Sequence, residues 1–223
     1  MIQAQPAGNL TQFRAALFDL GGVVFPSPFD AFDAYEREEG LSKGFVRAVI
    51  ARSAEDGAWA RLERSDVTFK EFCLELEGEA LLAGEEISAE QLMSMVGSSL
   101  TPRPEMVAAI NALRSIGLLI GALTNNWALA EGRTDARPHS LGNLGLFDIV
   151  VESAVEGMRK PDPRIYELTC QRLGVEPAEV VFLDDLGINL KPARAMGMTT
   201  IKVADVRDAL NELGEIFGIS LHY

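Results

Sequence analysis

Five short apolar runs, each bounded by turn residues, punctuate the chain: 15–18 (AALF), 118–123 (LLIGAL), 148–151 (DIVV), 180–183 (VVFL) and 199–203 (TTIKV). Each has the length of a strand and reads as continuously apolar, as a strand buried on both faces does. Between most of them, apolar residues recur at helical spacing: Met106, Ile110 and Leu113; Ile165, Leu168 and Leu173; Ile188, Ala193 and Met196. The last segment places Val206, Ala209, Leu210, Leu213, Ile216 and Phe217 on one helical face. Alternation of strands and helices predicts an α/β fold built on an open, mostly parallel sheet. With 223 residues, 48% of them hydrophobic, the chain can bury a large core.

One block breaks the alternation. Residues 26–100 hold no good strand but several helical stretches, such as Phe69, Phe72, Cys73, Leu76 and Ala80, and "PSP" and "TPRP" mark the two ends. The expected organisation is therefore a flexible terminus over 1–13, an α/β core made of 14–25 and 101–223, and an all-helical cap inserted at 26–100. The cap leaves and rejoins the core beside Asp19, which places it as a lid.

A formal charge of −13 argues against a nucleic-acid or anionic-membrane partner, since such surfaces need clustered Lys and Arg. No apolar run approaches the ~20 residues that span a bilayer, and residues 1–13 lack the pattern of a signal peptide. The cytoplasm is the expected compartment. Cys73 and Cys170 lie far apart in helical segments and read as small buried apolar residues; His139 and His222, the two histidines, sit in a polar loop and beside the last residue, which disfavours a histidine triad or a zinc site.

Three of the predicted strands end in polar residues. The first ends in Asp19, the second in Thr124 and Asn125, and the fourth in Asp184 and Asp185. In an open parallel sheet the carboxyl ends of the strands face one crevice, so these groups should converge. Lys160 lies in "RKPDP", just ahead of a helix that Pro161 and Pro163 help to start. Three carboxylates together would repel one another unless a cation sits among them, and oxygen ligands of this kind select a hard ion such as Mg²⁺. A metal, a lysine and a threonine hydroxyl around one remaining carboxylate suit phosphoryl transfer, with Asp19 as a nucleophile that forms an aspartyl-phosphate. Each residue alone has an ordinary explanation as a cap or turn; four such features in order, each at a strand end or helix start, favour function.

The segments "FDLGGV", "LTNNW", "RKPDPRIYEL" and "FLDDLGINLKPARAMGMTTIKV" resemble the four ordered motifs of the haloacid dehalogenase (HAD) superfamily, in the branch with a helical cap between the first two. The resemblance covers about residues 14–218. It implies a Rossmann-like sheet of five strands with a helical cap. It also implies that Asp19, the backbone carbonyl of Gly21 and Asp185 are Mg²⁺ ligands. Asp184 would serve the metal directly or, with Asn189, through bound water or neighbouring groups. Thr124 and Asn125 would hold the phosphoryl oxygens, and Lys160 would pair with Asp19 and the phosphate.

At one position the chain departs from the pattern. Phosphatases of the superfamily usually carry a second Asp two residues after the nucleophile, as the acid that protonates the leaving oxygen and then activates water; Gly21 stands there. General acid–base catalysis commonly contributes about 10²–10⁴ in rate. The expected function is a Mg²⁺-dependent phosphatase acting on a small phosphorylated metabolite, with an easy leaving group or a substitute acid. The alternatives are a module that binds a phosphorylated ligand or partner with little turnover, and a haloacid dehalogenase.

Overall fold

The computed structural model describes residues 12–53, 55–98, 101–127 and 145–221. His139 and His222 lie outside them, as does most of the expected flexible terminus.

Five strands form one sheet: β1 (Ala15–Phe18), β2 (Leu119–Thr124), β3 (Ile149–Glu152), β4 (Val180–Asp184) and β5 (Thr199–Lys202). Their order is β3-β2-β1-β4-β5, and every neighbouring pair is parallel. Each strand lies within one residue of its apolar run. The central strand β1 is completely buried, as the unbroken apolar run AALF requires. Its residues alternate between two cores. Ala16 and Phe18 face a core with Met106, Ile110 and Leu113 of α6 (Pro104–Ser115) and Leu210, Leu213 and Phe217 of α10 (Val206–Phe217). Ala15 and Leu17 face the opposite core with Ile165, Tyr166 and Leu173 of α8 (Pro163–Leu173) and Leu190 and Ala193 of α9 (Gly187–Ala195). A helix layer on each face satisfies a sheet with no solvated side.

The insertion between β1 and β2 is helical throughout its described elements: α1 (Pro28–Glu39), α2 (Phe45–Arg52), α3 (Ala58–Glu63), α4 (Phe69–Ala83) and α5 (Ala89–Ser98). It builds a hydrophobic core of its own around Phe32, Tyr35, Trp59, Phe72, Leu76 and Leu92. Local signals set its boundaries: Ser27 caps α1 with Pro28 behind it, and Thr68 and Glu71 form a reciprocal capping box on α4. The chain enters the cap just after Phe25 and returns at Arg103, whose N–H donates to the Val24 carbonyl at 2.8 Å, so entry and exit lie side by side. Among the described residues, no helix is long and apolar enough to cross a membrane, and Cys73 and Cys170 are free and buried.

Gly121 in β2 marks a point of close packing. A Cβ there would lie 2.9 Å from a Leu17 methyl and 3.3 Å from one of Leu173. Gly121→Val is expected to destabilise the fold by about 1–3 kcal/mol through overpacking, read as a lower urea midpoint at unchanged m-value.

Candidate active site

The parallel register places the first functional residue. Phe18 pairs with Ala122 on one side and Leu183 on the other, so the next residue, Asp19, emerges at the carboxyl end of the sheet level with Leu123 and Asp184. Its N–H continues the ladder to the Leu183 carbonyl at 2.8 Å. The side chain turns into the crevice, where Oδ1 accepts from the Leu20 N–H at 2.7 Å and pairs with Lys160 Nζ at 2.9 Å.

Lys160 is completely buried, an arrangement an ammonium tolerates only when its donors are used. Nζ reaches Asp19 Oδ1, Asp184 Oδ2 at 2.6 Å and the Leu123 carbonyl at 3.0 Å, which accounts for all three donors. The backbone on either side of this lysine is clamped by Asn125. The Lys160 N–H donates to Asn125 Oδ1 at 2.8 Å, and Asn125 Nδ2 donates to the Lys160 carbonyl at 3.0 Å. The Asn125 side chain is thus committed to positioning Lys160. Thr124, the last residue of β2, is buried, with its hydroxyl 3.4 Å from the Asn125 carbonyl oxygen.

Asp184 ends β4 and is also fully buried. Leu186 N–H donates to its Oδ1 at 2.8 Å, and Asn189 Nδ2 lies 3.1 Å from both of its oxygens. Asn189 is held in turn by Tyr166, whose hydroxyl donates to the Asn189 carbonyl at 2.6 Å. Asp185, partly exposed, completes an acidic cluster: one carboxylate oxygen each from Asp19, Asp184 and Asp185 lies within 4.8 Å of the others.

Charge in this cluster is unbalanced. Burial pushes the Asp19 carboxyl well above the usual range, a rise that Lys160 opposes and that Asp184 and Asp185 reinforce. Burial and then Asp184 push Asp185 up to about 6. Burial works against the Lys160 ammonium, yet Asp184 and Asp19 outweigh it and hold the group above an ordinary lysine. One ammonium among three carboxylates leaves a partly desolvated negative excess, and the all-oxygen donor set is that of a hard divalent cation. The residues fit Mg²⁺.

The two glycines after Leu20 have different reasons. Gly22 has φ +78°, and a Cβ there would lie 2.2 Å from Asp185 Oδ2; the acidic cluster occupies the space of the missing side chain. Gly21 is unconstrained in this way, since its nearest neighbour to a Cβ is Pro28 Cδ at 3.4 Å. An aspartate Cβ would fit there; the chain has none.

Between cap and core the crevice forms a cavity of about 160 Å³ lined by Asp19, Gly21 and Asp185 on the core side. Phe29, Phe32, Ile50 and Trp59 face it from the cap, and Trp127 borders it from the core. Trp59 and Trp127 meet edge to face at 5.6 Å across the boundary. Phe25, by contrast, packs in the core beneath the sheet end, 3% exposed. Two residues of this cavity carried no sequence signal as site residues. Glu63, in the charged stretch "RLERSD", reads as a surface acid; it is 6% exposed, accepts from Trp59 Nε1 at 2.9 Å and pairs with Arg159 Nε at 2.7 Å. Arg159 precedes Lys160 in a motif that draws attention to the lysine alone.

Comparison with known proteins agrees with this geometry. The model of the family described as haloacid dehalogenase-like hydrolase matches residues 13–197. The chain belongs to that family of hydrolases. It is 37% identical over 220 residues to acyl-CoA dehydrogenase family member 10 of Mus musculus, covering 94% of this chain and 20% of that protein. It is 34% identical over 225 residues to bifunctional epoxide hydrolase 2 of Sus scrofa, covering 93% of this chain and 39% of that protein. The chain thus spans only a fifth to two fifths of these relatives. Among solved structures, a HAD family enzyme of Bacteroides thetaiotaomicron in complex with magnesium and inorganic phosphate superposes with a TM-score of 0.60 at 21% identity, over 85% of this chain and 93% of that one. That likeness is one of fold.

Gly22→Ala is expected to displace Asp185 from the acidic cluster and weaken Mg²⁺ binding about 10–100-fold by calorimetric titration, the usual effect of disturbing the surroundings of a metal site. With metal removed by chelation, Asp185 binds a proton more tightly in the folded chain, near 6, than in the unfolded one, near 3.8. The metal-free protein should therefore lose stability as pH rises through that interval, and urea midpoints at pH 4.5 and 7 measure the change.

Proposed function

We propose that this hydrolase is a Mg²⁺-dependent phosphatase acting on a small phosphorylated compound through an aspartyl-phosphate on Asp19. The observation that carries this reading is the position of the Asp19 carboxylate: buried, bonded through Oδ1 to Lys160 and grouped with Asp184 and Asp185. A carboxylate that must attack an anionic phosphoryl group needs its own charge and that of its target neutralised, and burial makes each such interaction count for more than in water.

In this reading Asp19, Asp185 and the Gly21 backbone carbonyl hold Mg²⁺, with Asp184 as a direct ligand or a partner of its water. When bound, the ion supplies charge neutralisation on the phosphoryl oxygens. The remaining oxygen of Asp19 attacks phosphorus. Lys160 fixes Asp19 and faces the developing charge, and the Thr124 hydroxyl donates to a phosphoryl oxygen. Because the Asn125 side chain clamps Lys160, its contact with phosphate is assigned to the backbone N–H. Asn189 holds Asp184 in place. The aromatic wall given by Phe29, Phe32, Trp59 and Trp127 favours an apolar or aromatic alcohol portion.

Gly21 is the observation that favours a second reading, a phosphate-ligand or partner-binding module with little turnover. The measurement that separates the two is hydrolysis of p-nitrophenyl phosphate, whose leaving group needs no proton. The catalytic reading expects Mg²⁺-dependent turnover that falls at least 10³-fold in Asp19→Asn; wild type and variant equally inactive with Mg²⁺ present would decide for the binding module. Asp19→Asn combined with Asp185→Asn is expected to abolish Mg²⁺ binding in a calorimetric titration, and unchanged binding would remove the metal assignment.

A further inference from the structure

An enzyme of this kind needs a proton donor and acceptor at one defined place. Displacement at phosphorus is in line, so the leaving oxygen departs on the side of phosphorus away from Asp19. Asp19 stands at the end of β1 on the floor of the crevice, which makes the leaving side the cap side. The water that later cleaves the aspartyl-phosphate must approach from that same side. One carboxyl group there serves both steps, first as acid and then as base.

Among the described residues, three carboxylates line the cavity at the nucleophile: Asp19, Asp185 and Glu63. The first two belong to the acidic cluster. Glu63 alone comes from the cap, at the last position of α3, one helical turn after Trp59. Its burial is unusual for a Glu at a helix end in a chain of this charge, and its fixed geometry is costly to maintain. The indole N–H of Trp59 holds Oε1 and Arg159 holds Oε2, while both Trp59 and Arg159 also line the cavity. A carboxylate has about four acceptor positions, so two such partners leave it able to bond a reacting oxygen.

We propose that Glu63 is the general acid and base of this enzyme, reaching the leaving oxygen from the cap in place of the acid that the β1 turn lacks at Gly21. The proposal rests on the aspartyl-phosphate reading given above. In the first step a carboxylate oxygen of Asp19 forms a bond to phosphorus, the bond from phosphorus to the ester oxygen breaks, and that oxygen takes the Glu63 proton as the alcohol leaves. In the second step Glu63, now a carboxylate, takes a proton from water as the water oxygen bonds to phosphorus. The bond from phosphorus to Asp19 breaks, giving inorganic phosphate and returning both side chains to their starting states. Burial raises the Glu63 carboxyl above its ordinary range despite Arg159, Trp59 and Lys160, which all pull it down. A docking role alone, cap to core through Arg159, is the competing explanation for the same contacts.

Rapid-mixing kinetics of wild type and Glu63→Gln with Mg²⁺ separate the two. Gln keeps the shape and an acceptor for Trp59 but transfers no proton. With p-nitrophenyl phosphate, Glu63→Gln is expected to release one equivalent of nitrophenolate at a rate within about tenfold of wild type. It should then turn over about 10²–10⁴-fold more slowly, because the phosphorylated Asp19 waits for an activated water. With n-butyl phosphate it should release no butanol in the burst. Equal loss of the burst on both esters, or unchanged steady-state turnover, overturns the proposal in favour of docking. Wild type supplies a measurement independent of the variant's folding. Across a series of phosphate esters its first-step rate should vary little with the leaving alcohol's pKa, and a steep dependence overturns the assignment. A wild type inactive on every ester, with Asp19→Asn no worse, is the different result that defeats the phosphatase reading itself.

Discussion

The Lys160 ammonium, bonded to Asp19, Asp184 and the Leu123 carbonyl, is the interaction on which the remaining site geometry depends. It joins the ends of three strands through one atom. A charge in so buried a position is tolerable only because every donor is engaged, and removal of a partner in such a network commonly costs about 3–5 kcal/mol. The surrounding structure accordingly fixes the lysine twice, by its side-chain bonds and by the Asn125 clamp on its peptide. Asp184 is secured from its other side by Asn189, and Asn189 by Tyr166. Asp19 thus sits in a chain of bonds that begins in the helix layer below the sheet.

The sheet and the cap contribute different things to the crevice. Charge comes mainly from the sheet side, where Asp19, Lys160, Asp184 and Asp185 converge at strand ends. Shape and apolarity come mainly from the cap, through Phe29, Phe32, Ile50 and Trp59. The two meet at a boundary held by the Glu63–Arg159 pair, the contact between Trp59 and Trp127, and the Ser65 hydroxyl on the Ala154 carbonyl at 2.8 Å. Burial of Asp19, Lys160 and Asp184 beneath this boundary strengthens the interactions of the charged floor.

The strands, their parallel pairing and the helical insertion were legible in the amino-acid order because each depends on local apolar pattern. So was the convergence of Asp19, Asp184 and Asp185, since strand ends of a parallel sheet share one edge. What the order did not reveal depends on contacts between distant residues. Nothing near Asn125 says that its side chain belongs to the Lys160 peptide, and Gly22 reads as a turn residue until Asp185 is seen in the space a methyl group would take. Glu63 is the clearest case: its neighbours Arg61, Arg64 and Asp66 form surface-type ion pairs, and only folding shows that the one acid between them points inward.

The hydrogen bond from Arg103 to Val24 closes the insertion at its base. A segment whose two ends already touch adds little loop-closure demand to the sheet, which then needs only the α6 crossover to bring β2 beside β1. The α/β floor and the helical roof each have a hydrophobic core of their own, joined at this base and along the boundary above the crevice. The lining that the roof presents to the crevice can therefore vary in sequence without touching the residues gathered at the strand ends.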